Sequence, residues 1–343
     1  MSAPTLYSGP GQVVSAIQGS SYGFQAEGEN GQIKLDIMEK RTRRSNALFG
    51  YAKSTIDDQT AKISFTPFDS WALLPALFPK YLGIGTAGSA ASGLQIGIRP
   101  HDWAAGTGGA VSANANAATT IYTPDGRLYS VVRTAITKHP GLKLGVGMPL
   151  FTAIEITGLA DATMALGASG AIITGNAITE SGASNNASVA TVPAYAIPDF
   201  INGHWTGAWG SVTGFTALDA EDGWEISVDA KYSPLTVQKR TYHMKLDTVE
   251  IVCKARLTGQ THTQLAGKVL AHTLGGVLAE GSATNLVLSG PSSKTITLYD
   301  TEVFMEGSGF EFGGTKLGTS DVAFVTQIDF TTGAPGPAMV FSA

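Results

Sequence analysis

The feature that most constrains this chain is a repeat within it. Ile296–Thr331 reads ITLYDTEVFMEGSGFEFGGTKLGTSDVAFVTQIDFT, and Tyr129–Thr157 reads YSVVRTAITKHPGLKLGVGMPLFTAIEIT. Each stretch opens with an apolar-rich run carrying a threonine, Thr134 or Thr301. Each then turns through a glycine, Gly141 or Gly309, and resumes as apolar-charged-apolar-Gly. That pattern is Leu142-Lys143-Leu144-Gly145 in one and Phe310-Glu311-Phe312-Gly313 in the other. Both close alike, on Ile154-Glu155-Ile156-Thr157 and Ile328-Asp329-Phe330-Thr331. A unit used twice fixes most of an architecture, because each copy repeats the other's strand order.

The segments ahead of the two stretches match in outline. Val13–Ile17 gives a weak strand signal in a polar, Gly-rich start. Ile33-Lys34-Leu35-Asp36-Ile37 alternates apolar and charged, the period of a half-buried strand. Lys40, Arg41, Arg43 and Arg44 follow as the densest basic cluster, then a polar turn at Asp57-Asp58-Gln59 and a strand at Lys62–Phe65 that Pro67 ends. Asp69 or Ser70 caps a short helix with Trp71, Leu74, Leu77 and Phe78 on one face, and Pro75 shortens or distorts it. In the second half, Trp224–Val228 reads as a strand, Lys239-Arg240 takes the basic position, and Val249–Leu257 is the next strand. A helix from about Thr263 ends at Gly275-Gly276, and 284–289 adds a further strand.

These signals predict a mainly β chain of two tandem antiparallel β-sandwich or barrel modules, each with a flanking helix. The first module spans 1–160 with an insertion at 82–120. A connection with surface loops spans 161–212, and the second module spans 213–343. Both intervening stretches are charge-poor and rich in Gly, Ala, Ser, Thr and Asn, yet carry apolar anchors such as Trp103, Trp205 and Trp209.

Charged residues make up 14% of the chain, against roughly 25% in an ordinary globular protein. That deficit fits a subunit whose surface is covered by neighbours; the plainer alternative is a loopy protein rich in glycine, of which there are 42. The formal net charge of -5 gives no overall basic footprint for nucleic acid. The single cysteine, Cys253, excludes an intramolecular disulfide and reads as a small core residue. No signal peptide and no apolar run of about 18 residues is visible, so we expect folding in a cytoplasm and no membrane contact.

No catalytic constellation stands out, and we expect no enzymatic activity, cofactor or metal. Gly83-Ile84-Gly85-Thr86-Ala87-Gly88 has the spacing of a dinucleotide fingerprint but lacks the preceding strand and following helix that give it meaning. The six histidines, His101, His139, His204, His243, His262 and His272, are scattered without metal-ligand spacing. Asp57-Asp58 and Asp219, Glu221, Asp222 read as turn carboxylates. Asn186-Ala187-Ser188 fits a glycosylation sequon without a secretory context. The basic cluster has three readings. It is a solvated hairpin tip, a docking loop that meets an acidic surface on a neighbouring copy, or a nucleic-acid contact; little aromatic interleaving and a negative net charge weigh against the last.

Leu48-Phe49-Gly50-Tyr51, then Ala61–Pro67 with Trp71 and Leu77-Phe78-Pro79, resemble the tail tube (major tail) proteins of long, non-contractile-tailed bacteriophages. Tyr122–Gly126, Ala135–Lys138, Leu142–Gly145 and Leu150-Phe151 are similar too. The resemblance covers roughly residues 33–81 and 121–160, with an echo in the second half. It implies a β-sandwich or barrel with a flanking helix, six of which close into a ring with strands joined across subunits. It also implies that a long loop, here carrying Lys40, Arg41, Arg43 and Arg44, docks onto the adjacent ring. Rings would stack into a tube for genomic DNA, in the virion tail, assembled in the host cytoplasm, with other tail proteins at the tube ends. A duplicated module lets three chains supply six positions, so a homotrimer is expected over a hexamer.

In the closing strands, Ile154 and Ile156 face one way and Glu155 the other, while Phe324, Ile328 and Phe330 oppose Val325, Gln327 and Asp329. If the second face lines a conduit, Glu155 and Asp329 keep it from gripping phosphate, so that DNA passes without specific binding; the alternative is an ordinary solvent face. Competing functions are a baseplate hub or tail terminator built on the same module, a capsid decoration protein, and a carbohydrate-active β-rich enzyme. The last requires paired carboxylates in an aromatic cleft.

Overall fold

The structure is a computed structural model that describes residues 12–17, 20–26, 32–46, 50–86, 94, 96, 119–122, 128–131, 134–159, 173–176, 200–210, 215–237, 240–258, 284–311, 319–326 and 337–342. It is mainly β. In chain order the strands are β1 (Gln12–Ile17), β2 (Ser20–Gln25), β3 (Lys34–Asn46), β4 (Gly50–Phe65), β5 (Ile84–Thr86), β6 (Thr119–Tyr122), β7 (Leu128–Val131), β8 (Thr134–Lys138) and β9 (Leu142–Leu144). There follow β10 (Ile154–Gly158), β11 (Ile173–Asn176), β12 (Thr206–Trp209), β13 (Asp219–Val237), β14 (Arg240–Thr258), β15 (Thr284–Ser289), β16 (Thr295–Glu311), β17 (Thr319–Thr326) and β18 (Met339–Ser342). One four-residue helix, α1 (Leu74–Leu77), lies between 3-10 turns at Trp71–Leu73 and Lys80–Leu82.

Among the described residues the strands form three sheets, ordered β11-β7-β6-β1-β2, β3-β4-β10-β8 and β12-β15-β16-β17-β14-β13-β9; β18 joins the last through β16, and β5 runs parallel to β18. The two halves follow the same path through them. The β3–β4 hairpin shifts register between Lys40/Arg41 and between Arg44/Ser45. The β13–β14 hairpin shifts between Lys231/Tyr232 and between Leu235/Thr236. Counted from the tips, where Asn46 faces Gly50 and Val237 faces Arg240, these are the same two positions. The residue bulged out at the first shift is an aspartate in both hairpins, Asp57 and Asp247. A bulge adds one unpaired residue and tightens the local twist, so matched bulges give the two hairpins the same curvature.

The match continues outward. Ile156 pairs with Ile63 and Ile136, while Phe324 pairs with Cys253 and Val303. Ser15–Thr119–Val131–Ile173 runs across β1, β6, β7 and β11, and Trp209–Leu286–Leu298–Met339 runs across β12, β15, β16 and β18. In each half the repeat threonine bonds to that row. Thr134 Oγ1 lies 2.7 Å from Thr119 Oγ1, and Thr301 Oγ1 accepts the Trp209 indole N–H at 3.0 Å.

Several local expectations need correcting. Register places Val322–Val325, six residues before Ile328–Thr331, as the counterpart of Ile154–Thr157. Side chains alternate with period two, so an even-numbered slip keeps every residue on its face, and alternation alone does not detect it. Gly309 lies within β16 rather than at a turn, with a register shift between Met305 and Phe310. Asp57-Asp58-Gln59 lies in β4, and Asp219, Glu221 and Asp222 lie in β13, because long ladders absorb polar residues at bulges and on open faces. Ser70 makes no side-chain cap, and Asp69 instead accepts the Leu150 backbone N–H at 2.7 Å. The stretch 161–212 contributes sheet strands β11 and β12 as well as a connection. The expected helix from Thr263, most of the insertion 82–120, Asn186 and Asp329 lie outside the described residues.

One continuous core joins both halves. Trp71, Phe200, Trp205, Phe78 and Phe341 form one aromatic group in it, and Trp209, Phe215, Phe324 and Trp224 another. Strand hydrogen bonds cross the expected boundary. β9 pairs with β13, and β5 with β18, so strands from the first 160 residues complete the sheet of the second half. Among the described residues no helix is long and apolar enough to cross a membrane.

Candidate functional site

Lys40, Arg41, Arg43 and Arg44 lie in β3, a strand rather than a loop, on the outer limb of its hairpin. All four are exposed. The bulges after Lys40 and Arg44 explain why a basic run reads as irregular while staying in the ladder. The Arg41 guanidinium donates to Glu39 Oε2 at 2.6 Å. Among the described residues β3 pairs with β4 on one side only and ends its sheet. Along this strand Ile37 and Met38 are exposed, at 51% and 50%.

The matching strand in the second half is covered. Opposite β4 and β14, Leu35 faces Ile63 as Ile226 faces Cys253, so Ile33, Leu35 and Ile37 correspond to Trp224, Ile226 and Val228. Those three are buried, at 1%, 0% and 7%, whereas Ile33 and Leu35 are only half-buried. One difference is β9, whose Leu142, Lys143 and Leu144 pair with Ile226, Glu225 and Trp224; Trp224 also packs against Gly207 and Phe324.

Glu155 sits on the face of β10 opposite the buried Ile154 and Ile156. Its carboxylate is held by Lys62 Nζ at 2.8 Å, with Thr137 Oγ1 at 3.4 Å. The pair is part-buried and neutralises the charge expected there. Ala323 takes the register position of Glu155 in the second half, and Asp329 lies outside the described residues. On the adjoining face of β9, β13, β14 and β17 a groove of about 430 Å³ carries Lys143, Glu225, Lys254, Arg256, Asp222 and Asp321. Its charges alternate in sign, so it presents neither a phosphate-binding patch nor a strongly acidic one.

Sequence reasoning missed one buried polar cluster. His139 Nδ1–H donates to the Leu77 carbonyl at 2.8 Å, which leaves Nε2 to accept the Tyr232 hydroxyl at 2.7 Å. The Tyr81 hydroxyl lies 3.4 Å from that of Tyr232. Burial pushes the His139 pKa down to about 4, and burial raises that of Tyr232. The group therefore ties α1 and the β8–β9 connection to β13. Only the Pro-Gly after His139 hinted in the sequence that this histidine is fixed at a turn.

Among the described residues no group of three or more His, Cys, Asp or Glu is placed to hold a metal ion. Trp205 and Trp209 are core residues, at 2% and 5% exposure, so they offer no stacking surface to a sugar. Cys253 is fully buried and burial raises its thiol pKa, the opposite of an activated nucleophile. Ile84–Thr86 forms β5 rather than a phosphate-binding turn. No protein-family model matches the chain, and comparison with curated proteins finds no match.

Proposed function

We propose that this chain is a structural tail tube protein, in which two tandem β modules per chain let three chains close a ring. The rings stack into the tube of a virion tail that conducts genomic DNA, with other tail proteins at the tube ends. The observation that carries this reading is the shared register of the two halves, down to both bulges in the long hairpins. Repeating a module within one chain is a route to a ring with more positions than subunits. Three further features support it. The charged fraction is low, at 14%, as expected of a surface that neighbours cover. The halves join head to tail through β9 on β13, so the same joint can propagate between chains. The sheet face beside that joint balances acid against base, which suits passage of DNA without specific binding.

Negative-stain microscopy with mass measurement of the purified protein tests this. Rings or tubes with an axial hole and three chains per ring are the expected result. A monodisperse monomer at high concentration overturns the reading, and six chains per ring overturns the trimer.

A further inference from the structure

We propose that the open edge of β3, at Lys34–Leu35, is completed by the end of β16 from a second copy of this chain, with Lys34 opposite Glu311. The inference rests on the reading that copies assemble with one another, and adds the edge, the donor segment and the register.

A joint of this kind exists inside one chain. β9 lies on the outer edge of β13 with Leu144 opposite Trp224, Lys143 opposite Glu225 and Leu142 opposite Ile226. Of the acceptor residues, Glu225 and Ile226 have register counterparts in Lys34 and Leu35 of β3, and Ile33, just before the strand, stands in line with Trp224. The donor Leu142-Lys143-Leu144-Gly145 has its counterpart in Phe310-Glu311-Phe312-Gly313, of which Phe310 and Glu311 close β16. β16 already uses one edge at this point, with Phe310 and Glu311 paired to Ser320 and Thr319 of β17.

Substituting counterparts into the known joint places Phe310 opposite Leu35 and Glu311 opposite Lys34. The charge pair is inverted. Within the chain a lysine on the donor faces a glutamate on the acceptor; between chains a glutamate on the donor faces a lysine on the acceptor. Opposite charges directly across an antiparallel pair stabilise it and like charges destabilise it. Two joints of opposite polarity also disfavour the wrong pairing, since β9 brought to β3 would set Lys143 against Lys34.

Uncovered surface points to the same occupant. Leu35 is only half-buried where its counterpart Ile226, paired by β9, is fully buried. An open edge bearing apolar side chains is a template for a further strand. Lys34 is ion-paired at 2.7 Å to Asp36, but both side chains are solvent-exposed, at 63% and 41%, so the lysine exchanges partners at little cost.

Cysteine pairs test the register. Lys34→Cys with Glu311→Cys in the full chain should give, on mild oxidation of assembled protein, interchain disulfides in a ladder that stops at three chains. Lys143→Cys with Glu225→Cys should give an intrachain bond and serves as the reference joint. Cys253 is buried and does not compete. Asp36→Cys with Glu311→Cys, displaced by two residues, should cross-link at least several-fold more slowly. Rings by microscopy without the Lys34/Glu311 cross-link, or a faster displaced pair, overturn the proposed joint while leaving the ring reading intact. Absence of both rings and cross-link removes both. A charge exchange guards against misfolded cysteine variants. Lys34→Glu alone should slow assembly, and Lys34→Glu with Glu311→Lys should restore it; no rescue counts against the pairing.

Discussion

His139 shows how much a single buried side chain decides here. It is neutral in the fold because burial holds its pKa near 4, against about 6.5 when unfolded. Below about 6.5 the unfolded chain binds a proton that the folded chain does not. The folded state therefore loses stability as pH falls from 6.5 toward 4, by an amount on the order of 3 kcal/mol. Urea midpoints at pH 7 and pH 4.5 should show this drop, and His139→Gln should flatten that part of the profile while lowering stability at pH 7. Glu155 illustrates the reverse case. Its partial burial and ion pair with Lys62 were not legible in the sequence, because the two residues lie on strands far apart in the chain. What the sequence did reveal was its face, since Ile154 and Ile156 flank it.

At the scale of elements, the long bulged hairpins and the β9–β13 joint dominate. Gly223 sits beside that joint at φ +79°, and a Cβ there would press on the Leu144 carbonyl oxygen and the Gly145 backbone. Gly50 has a similar φ of +68° but open space around it. Gly50→Ala should therefore cost about 1 kcal/mol, the left-handed penalty alone. Gly223→Ala should cost about 2–4 kcal/mol, because β9 must also move off β13. Equilibrium denaturation of the two variants checks the ordering. Strand existence was readable from alternation, as at Ile33–Ile37 and Trp224–Val228. The basic cluster reads as a loop in the sequence because local composition does not show that a bulge lets a polar run stay in a ladder.

At the scale of the molecule, the halves share a core, and the first lends strands to the sheet of the second. Unfolding should therefore be one transition, with tryptophan fluorescence from Trp71, Trp205, Trp209 and Trp224 coinciding with far-UV circular dichroism. Two separated transitions would show that the halves are energetically independent. The expected boundary near residues 160–213 describes the repeat but not the hydrogen bonding, which crosses it.

The sequence by itself determined the β class and the positions of the repeat threonines, because these follow from alternation, turn residues and recurrence along the chain. Only the tertiary structure decided the register, which moved the counterpart of Ile154–Thr157 to Val322–Val325. It also revealed that the later stretch of the repeat, Ile296–Thr331, holds one continuous strand through Gly309. Alternation survives any even slip, so register is fixed by which side chains fit the shared core. That core brings together residues the sequence keeps far apart.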